Sequence, residues 1–120
     1  MQRFVNELQP GGPTPSRAFK DAVLTHALRA AEREGRVLSV MFDISGASED
    51  EWASTILLDW AHIVDALNAT ASPAWLHHKG KPVLSVWGLG FTGHPGTPAS
   101  SLQFLSALRA ARGDVTRGCR

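Results

Sequence analysis

The run from Val37 to Ile44, VLSVMFDI, is apolar, β-branched or aromatic with little alternation between polar and apolar positions. A strand of this composition is covered on both faces, as in a parallel sheet. Parallel neighbours need crossover connections rather than hairpins, so helices should flank it. The flanks have that pattern. Upstream, Phe19, Val23, Leu24, Ala27, Leu28 and Ala31 recur at spacings of three and four and define one helical face, which Gly35 closes. Downstream, Ser48 and Glu51 have the spacing of a capping box, and Glu49 and Asp50 suit the positive end of a helix. Trp52, Ile56, Trp60, Ile63, Val64 and Leu67 then form an apolar stripe.

The same pattern extends in both directions. Arg3 to Leu8 reads as a short strand, Gln9 to Pro15 as a loop broken by Gly and Pro, and Ser16 as the cap of the first long helix. Beyond Asn68 to Pro73, the chain passes Trp75 and Leu76, turns at Lys79 and Gly80, and enters a strand from Pro82 to Trp87. Thr97 as cap and Pro98 at the first helical position open a helix whose Leu102, Leu105 and Leu108 are expected to face inward, ending near Arg112. The closing GDVTRGCR contains no apolar run, so no fourth strand is expected there.

The order β-α-β-α-β-α implies parallel strands joined by right-handed crossovers with the helices outside. A (β/α)8 barrel takes about 250 residues, so three units in 120 residues amount to nearly half of one. The expected fold class is therefore α/β, a partial (β/α)8 barrel of about three β-α units, forming a single segment of a larger barrel. Three parallel strands alone would leave two unpaired edges, which natural domains usually cover. Either a missing barrel half or self-association is expected to cover them.

Composition narrows the partners. Twelve basic and eleven acidic residues give a net charge of +1, with the arginines dispersed along helices, so there is no basic footprint for nucleic acid. No apolar run reaches the length of a membrane span, and the N-terminus MQRFVNELQPGG lacks the pattern of a signal peptide. Localisation is left open. The single cysteine, Cys119, can form no internal disulfide.

The most informative stretch for function is His77 to Phe91, HHKGKPVLSVWGLGF. A basic turn feeds a buried strand that ends on Trp87 and Gly88, and the carboxyl ends of buried strands are where α/β proteins keep their sites. Trp87 either meets a ligand or closes the top of the core. Asp43 is the one acid expected at a strand end; it either lines the rim or caps its own turn through Ser45 or Gly46. Phe91 and Arg3 are lesser rim candidates. Gly88 to Gly93 matches G-x-G-x-x-G, but His94-Pro95-Gly96-Thr97-Pro98 prevents a helix from starting within the motif, so no dinucleotide cofactor is implied. His77 and His78, adjacent in an extended segment, point to opposite sides and cannot easily share a metal ion with each other or with His94. Trp52 and Trp60 belong to the core stripe, Trp75 is expected beneath the following turn, and His26 and His62 lie within helices as structural residues.

QRFVNEL, VMFDISG, LLDWAHIVDAL and above all HHKGKPVLSVWGLGF resemble successive segments of bacterial glycoside hydrolase family 99 and its relatives, sometimes labelled xylosidase/arabinosidase-like. Those are (β/α)8 barrels related to endo-α-mannosidases, and the resemblance covers roughly Gln2 to Phe91. It implies a carbohydrate substrate and hydrolysis by paired carboxylates from later strands, in a glutamate-rich motif that has no counterpart here. The implied substrate-binding residues are Asp43, Trp87, Gly88, Phe91, His78 and Arg3, with no catalytic residue, metal or cofactor. Glycoside hydrolysis uses two carboxyl groups, about 5 to 9.5 Å apart, and the other acids fall on helices, caps or frayed ends. The chain is therefore expected to carry part of a sugar-binding rim and to be inactive alone. The alternatives are a self-associating α/β binding module without activity and a nucleotide-binding half-domain.

Overall fold

The computed structural model describes residues 1–9, 17–112 and 116–119. Along the chain lie β1 (Gln2–Phe4), the one-turn helix α1 (Val5–Leu8), α2 (Arg17–Glu34), β2 (Val40–Asp43), α3 (Trp52–Ala61), β3 (His77–His78), β4 (Lys81–Trp87), α4 (Pro98–Arg112) and β5 (Thr116–Cys119). A π-helical turn, His62–Ala66, extends α3, and a short 3-10 turn follows at Ala69–Ala71. The expected loop beyond Gln9 and the Ser16 cap lie outside the described residues. No described helix is long and apolar enough to cross a membrane.

The parallel strands stand in the order β1-β2-β4-β5. The two-residue β3 runs antiparallel to the start of β4, through a turn at Lys79 and Gly80 where both residues have positive φ. That is the turn geometry whose twist matches a hairpin. The segment before it wedges between the lower ends of β2 and β4: Leu76 N–H donates to Leu38 and accepts from Val83 through its carbonyl. Trp75 is buried there, against Trp60 at 5.8 Å, and its indole N–H donates to the Val83 carbonyl.

Register divides the residues of the sheet between two faces. Arg3, Phe42 and Val86 stand in one row, and all three are buried, as are Val40 and Leu84 on the same face. Leu24, Leu28 and Ala31 of α2, Trp52, Ile56 and Trp60 of α3, and Phe104 and Leu108 of α4 complete this single core. The adjacent row, Phe4, Asp43 and Trp87, belongs to the other face. No described helix covers that face, where Gln2, Phe4 and Trp87 are exposed and Met41, Val83 and Ser85 half-buried.

Several local expectations are met. Gly35 at φ +63° ends α2, with Arg36 N–H bonded to the Ala31 carbonyl, the longer bond of a Schellman cap. Thr97 Oγ1 accepts from Ser100 N–H and caps α4 ahead of Pro98.

Other expectations are corrected. The first strand ends at Phe4, because the chain turns over the sheet edge and buries Val5 while Gln9 N–H bonds back to its carbonyl. The Ser48–Glu51 capping box does not form, since Ser48 bonds to Gln9 and the helix begins only at Trp52. In α4, Phe104 takes the inward position expected of Leu102, because its ring packs on Trp52 at 5.1 Å; Leu102 is 66% exposed. On α2, Phe19 and Val23 are exposed although they share the apolar spacing. A fourth parallel strand, β5, does form, because the open edge of β4 supplies a ladder that propensity alone does not demand.

Arg3 points into the covered face. Its Nε and Nη2 donate to the two carboxylate oxygens of Asp59, at 2.7 and 2.8 Å, and Nη2 also reaches Asp21 at 3.2 Å. Arg17 joins Asp59, and Asp21 bonds the His62 ring at 2.6 Å. The guanidinium is therefore held between β1, α2 and α3, and Arg3 and Asp59 are both fully buried. Removing one member of a buried pair leaves an uncompensated charge. Arg3→Met should destabilise the fold by about 3–5 kcal/mol in urea denaturation, and adding Asp59→Leu should recover much of that loss.

Candidate functional site

At the carboxyl ends of β2 and β4, Asp43 and Trp87 are register partners on the open face. Adjacent strands lie about 4.8 Å apart, so the carboxylate stands beside the indole. Asp43 Oδ1 accepts from Ser45 N–H at 2.9 Å, and Oδ2 accepts from the Gln2 amide at 2.5 Å. Of the two roles considered for Asp43, it caps its own turn, and it also faces the open end of the sheet from a position 5% exposed. Phe4 is the next residue in the row, but the Lys20 ammonium sits 5.8 Å from its ring centre and pairs with Glu7.

Trp87 is the most exposed of the four tryptophans, at 36%; the other three are in the core. Its ring meets Phe91 at 5.0 Å and His94 at 5.6 Å, and those two meet each other at 5.5 Å, all in edge-to-face arrangements. Edge-to-face contact holds three rings together while leaving faces free. Gly88 permits this cluster. It has φ +106°, and a Cβ there would lie 2.8 Å from His94 Nδ1 and 2.9 Å from Ile44. His94 Nδ1 is buried against that glycine with no partner.

The loop after β4 is tied to the loop after β2. Glu49 accepts from Gly96 N–H at 2.6 Å and from the Ser100 hydroxyl at 3.0 Å, and so occupies the N-terminus of α4. An acid read as favouring the start of α3 thus serves a different helix. Because that helix begins only at Pro98 and its N-terminus already holds a carboxylate, the glycines from Gly88 to Gly93 build a turn rather than a phosphate cradle.

The structure brings together Asp43, Trp87, Gly88 and Phe91, four of the six expected site residues, and adds Gln2 and His94. It separates the other two. Arg3 is on the opposite face in the ion cluster, where desolvation binds it to Asp59. His78 lies at the amino end of β4, about 20 Å from Trp87 at some 3.3 Å per residue. His77 is there too, with Nδ1 2.7 Å from the Trp75 carbonyl, far from His94. Among the described residues no group of three or more His, Cys, Asp or Glu could hold a metal. Clefts of ≈ 200 and ≈ 230 Å3 flank α2, and neither contains a rim residue. No protein-family model, curated protein or solved structure matches this chain.

Sequence reading missed Gln2 because the first strand was placed one residue late, and missed His94 as a rim residue because its neighbours are loop formers. Its position in a Gly- and Pro-rich loop after a strand was the available signal.

Two outcomes are expected. The Gly96 N–H, aided by Ser100, holds the Glu49 carboxyl below its ordinary value of 4.5. A lowered folded-state value stabilises the fold above the unfolded value, and that stabilisation is lost as pH falls through the folded one. Tm measured against pH should therefore drop on acidification below 4.5, and Glu49→Gln should flatten that part of the profile. Gly88→Ala should loosen the rim, seen as faster hydrogen exchange from residues 88–97, because both its φ and the His94 contact oppose a side chain.

Proposed function

We propose that this chain is a segment of a glycoside-hydrolase-type (β/α)8 barrel, resembling family 99, that holds part of a sugar-binding rim and no catalytic carboxylate pair. The observation that carries this reading is the pairing of Asp43 with Trp87 on the open face at the strand ends, beside Phe91 and His94. An indole face takes the polarised C–H groups of a sugar ring, and a carboxylate accepts from its hydroxyls. His94 Nε2 is the ring nitrogen left to reach a ligand, since Nδ1 is turned into Gly88.

Two further observations support it. Consecutive strands lying in chain order, with helices on one face only, is the arrangement within a barrel wall. Asp43 is also the only acid on the described strands, while Glu49 is committed to α4 and Asp21 and Asp59 to Arg3. Acid and base at the spacing that glycoside hydrolysis needs are therefore not both present on the described strands.

Because the other tryptophans are buried, a ligand-induced change in intrinsic fluorescence should come chiefly from Trp87. Titration with neutral oligosaccharides should give a saturable change that Trp87→Ala abolishes. Asp43→Asn should weaken binding about tenfold, the worth of a charge-assisted hydrogen bond. Absence of binding to any glycan tested would refute the rim. Turnover of an aryl glycoside, abolished by Asp43→Asn, would refute the lack of catalytic residues.

A further inference from the structure

We propose that the strand-end rim takes an amino sugar, whose protonated amine pairs with the Asp43 carboxylate while its ring lies on Trp87 and Phe91. This rests on the sugar-binding reading above and names the class of sugar. Four of the described acids are buried or half-buried: Glu7, Asp21, Asp43 and Asp59. Three of them are ion-paired, Glu7 with Lys20, Asp21 with Arg3 and His62, and Asp59 with Arg3 and Arg17. Asp43 is the exception. It accepts only from the Ser45 N–H and the Gln2 amide, and no described basic side chain lies within ion-pair distance of it. A buried charge without a counter-ion is costly, so a cationic group from outside is the partner that this site favours most.

The carboxylate has capacity for such a group. It can accept up to about four hydrogen bonds, and its two oxygens take one each. The Gln2 amide that bonds Oδ2 belongs to an exposed residue. An ammonium group therefore reaches that oxygen by displacing a single surface amide.

The aromatic half of the rim favours the same charge. Ring faces attract cations through their quadrupole, indole most strongly. Trp87 and Phe91 are 36% and 48% exposed, and Trp87 is the register partner of Asp43, so a cation on the carboxylate stands beside the indole. The basic ring of the cluster, His94, packs on Trp87 and Phe91 with Nδ1 turned into Gly88, and does not pair with Asp43. Glu49 adds a second carboxylate among the loops at this end of the sheet, and it too is held by uncharged donors, the Gly96 N–H and the Ser100 hydroxyl. A neutral sugar offers Asp43 hydroxyl donors only, and an acidic sugar is repelled by it. A sugar bearing an amine also supplies the missing positive charge.

Fluorescence titration of the full chain at about pH 6, where a primary amine is protonated, tests this with a glucosamine trisaccharide and its N-acetylated counterpart. The amine form is expected to bind about tenfold tighter, because a charge-assisted hydrogen bond is roughly twice as strong as a neutral one. Asp43→Asn, which keeps an acceptor for the Ser45 N–H, should bring the two affinities to parity. On the unaltered chain, added NaCl should shrink the advantage of the amine form and leave the acetylated form unaffected, which gives a measure independent of the variant's folding. Equal or weaker binding of the amine form overturns the proposal and leaves the sugar rim standing, as does an advantage that survives both Asp43→Asn and salt. Binding of ethanolamine as tight as that of the trisaccharide overturns it too, since the sugar then contributes nothing. Failure of both trisaccharides to bind overturns the rim itself.

Discussion

Parallel strands that follow one another in chain order, each joined to the next by a right-handed crossover, must place every connecting helix on the same face of the sheet. Here β1, β2, β4 and β5 follow that order, and α2, α3 and α4 all contribute to one core. Doubly wound sheets reverse direction once and so cover both faces. This sheet does not reverse. Its second face therefore presents Gln2, Phe4, Met41, Asp43, Val83, Ser85 and Trp87, and the rim stands at one end of that face.

Among the described side chains of the covered face Arg3 alone is charged, and its placement depends on how the elements meet. Arg3 occupies a row with Phe42 and Val86, a position that would suit an aliphatic residue. Asp59 comes from the crossover after the next strand, and Asp21 from the crossover between. The guanidinium thereby ties three elements that are distant in sequence. Such a cluster contributes little net stability against a well-packed apolar alternative, but it penalises any packing that separates its members. We regard it as a device that holds α2 and α3 in fixed positions over β1.

The rim owes its shape to loops that restrain each other. Glu49 bonds the start of α4 and so fixes the β2–α3 loop against the β4–α4 loop. Ser45 and Gln2 hold both oxygens of Asp43, and the absence of a side chain at Gly88 lets His94 close on Trp87 and Phe91. A binding surface of this kind is set by backbone geometry and second contacts, since the side chains that would meet a ligand are few.

The alternation of elements, the stop at Gly35, the Lys79–Gly80 turn and the Thr97–Pro98 helix start were legible because each depends on φ preferences or periodicity within a few residues. Asp43 and Trp87 were legible as strand-end residues for the same reason. The partners of Arg3, the helix that Glu49 caps, the exposure of Phe19, Val23 and Leu102, and the strand at Thr116–Cys119 were not. A spacing of three and four shows that side chains share a helical side, but whether that side is buried depends on which element lies next to it. The sequence by itself determined the order of the first three parallel strands and their crossovers and which residues reach the ends of β2 and β4. Only the tertiary structure decided which face stayed open and which charges paired, because burial and long-range hydrogen bonds exist only once distant segments share a surface.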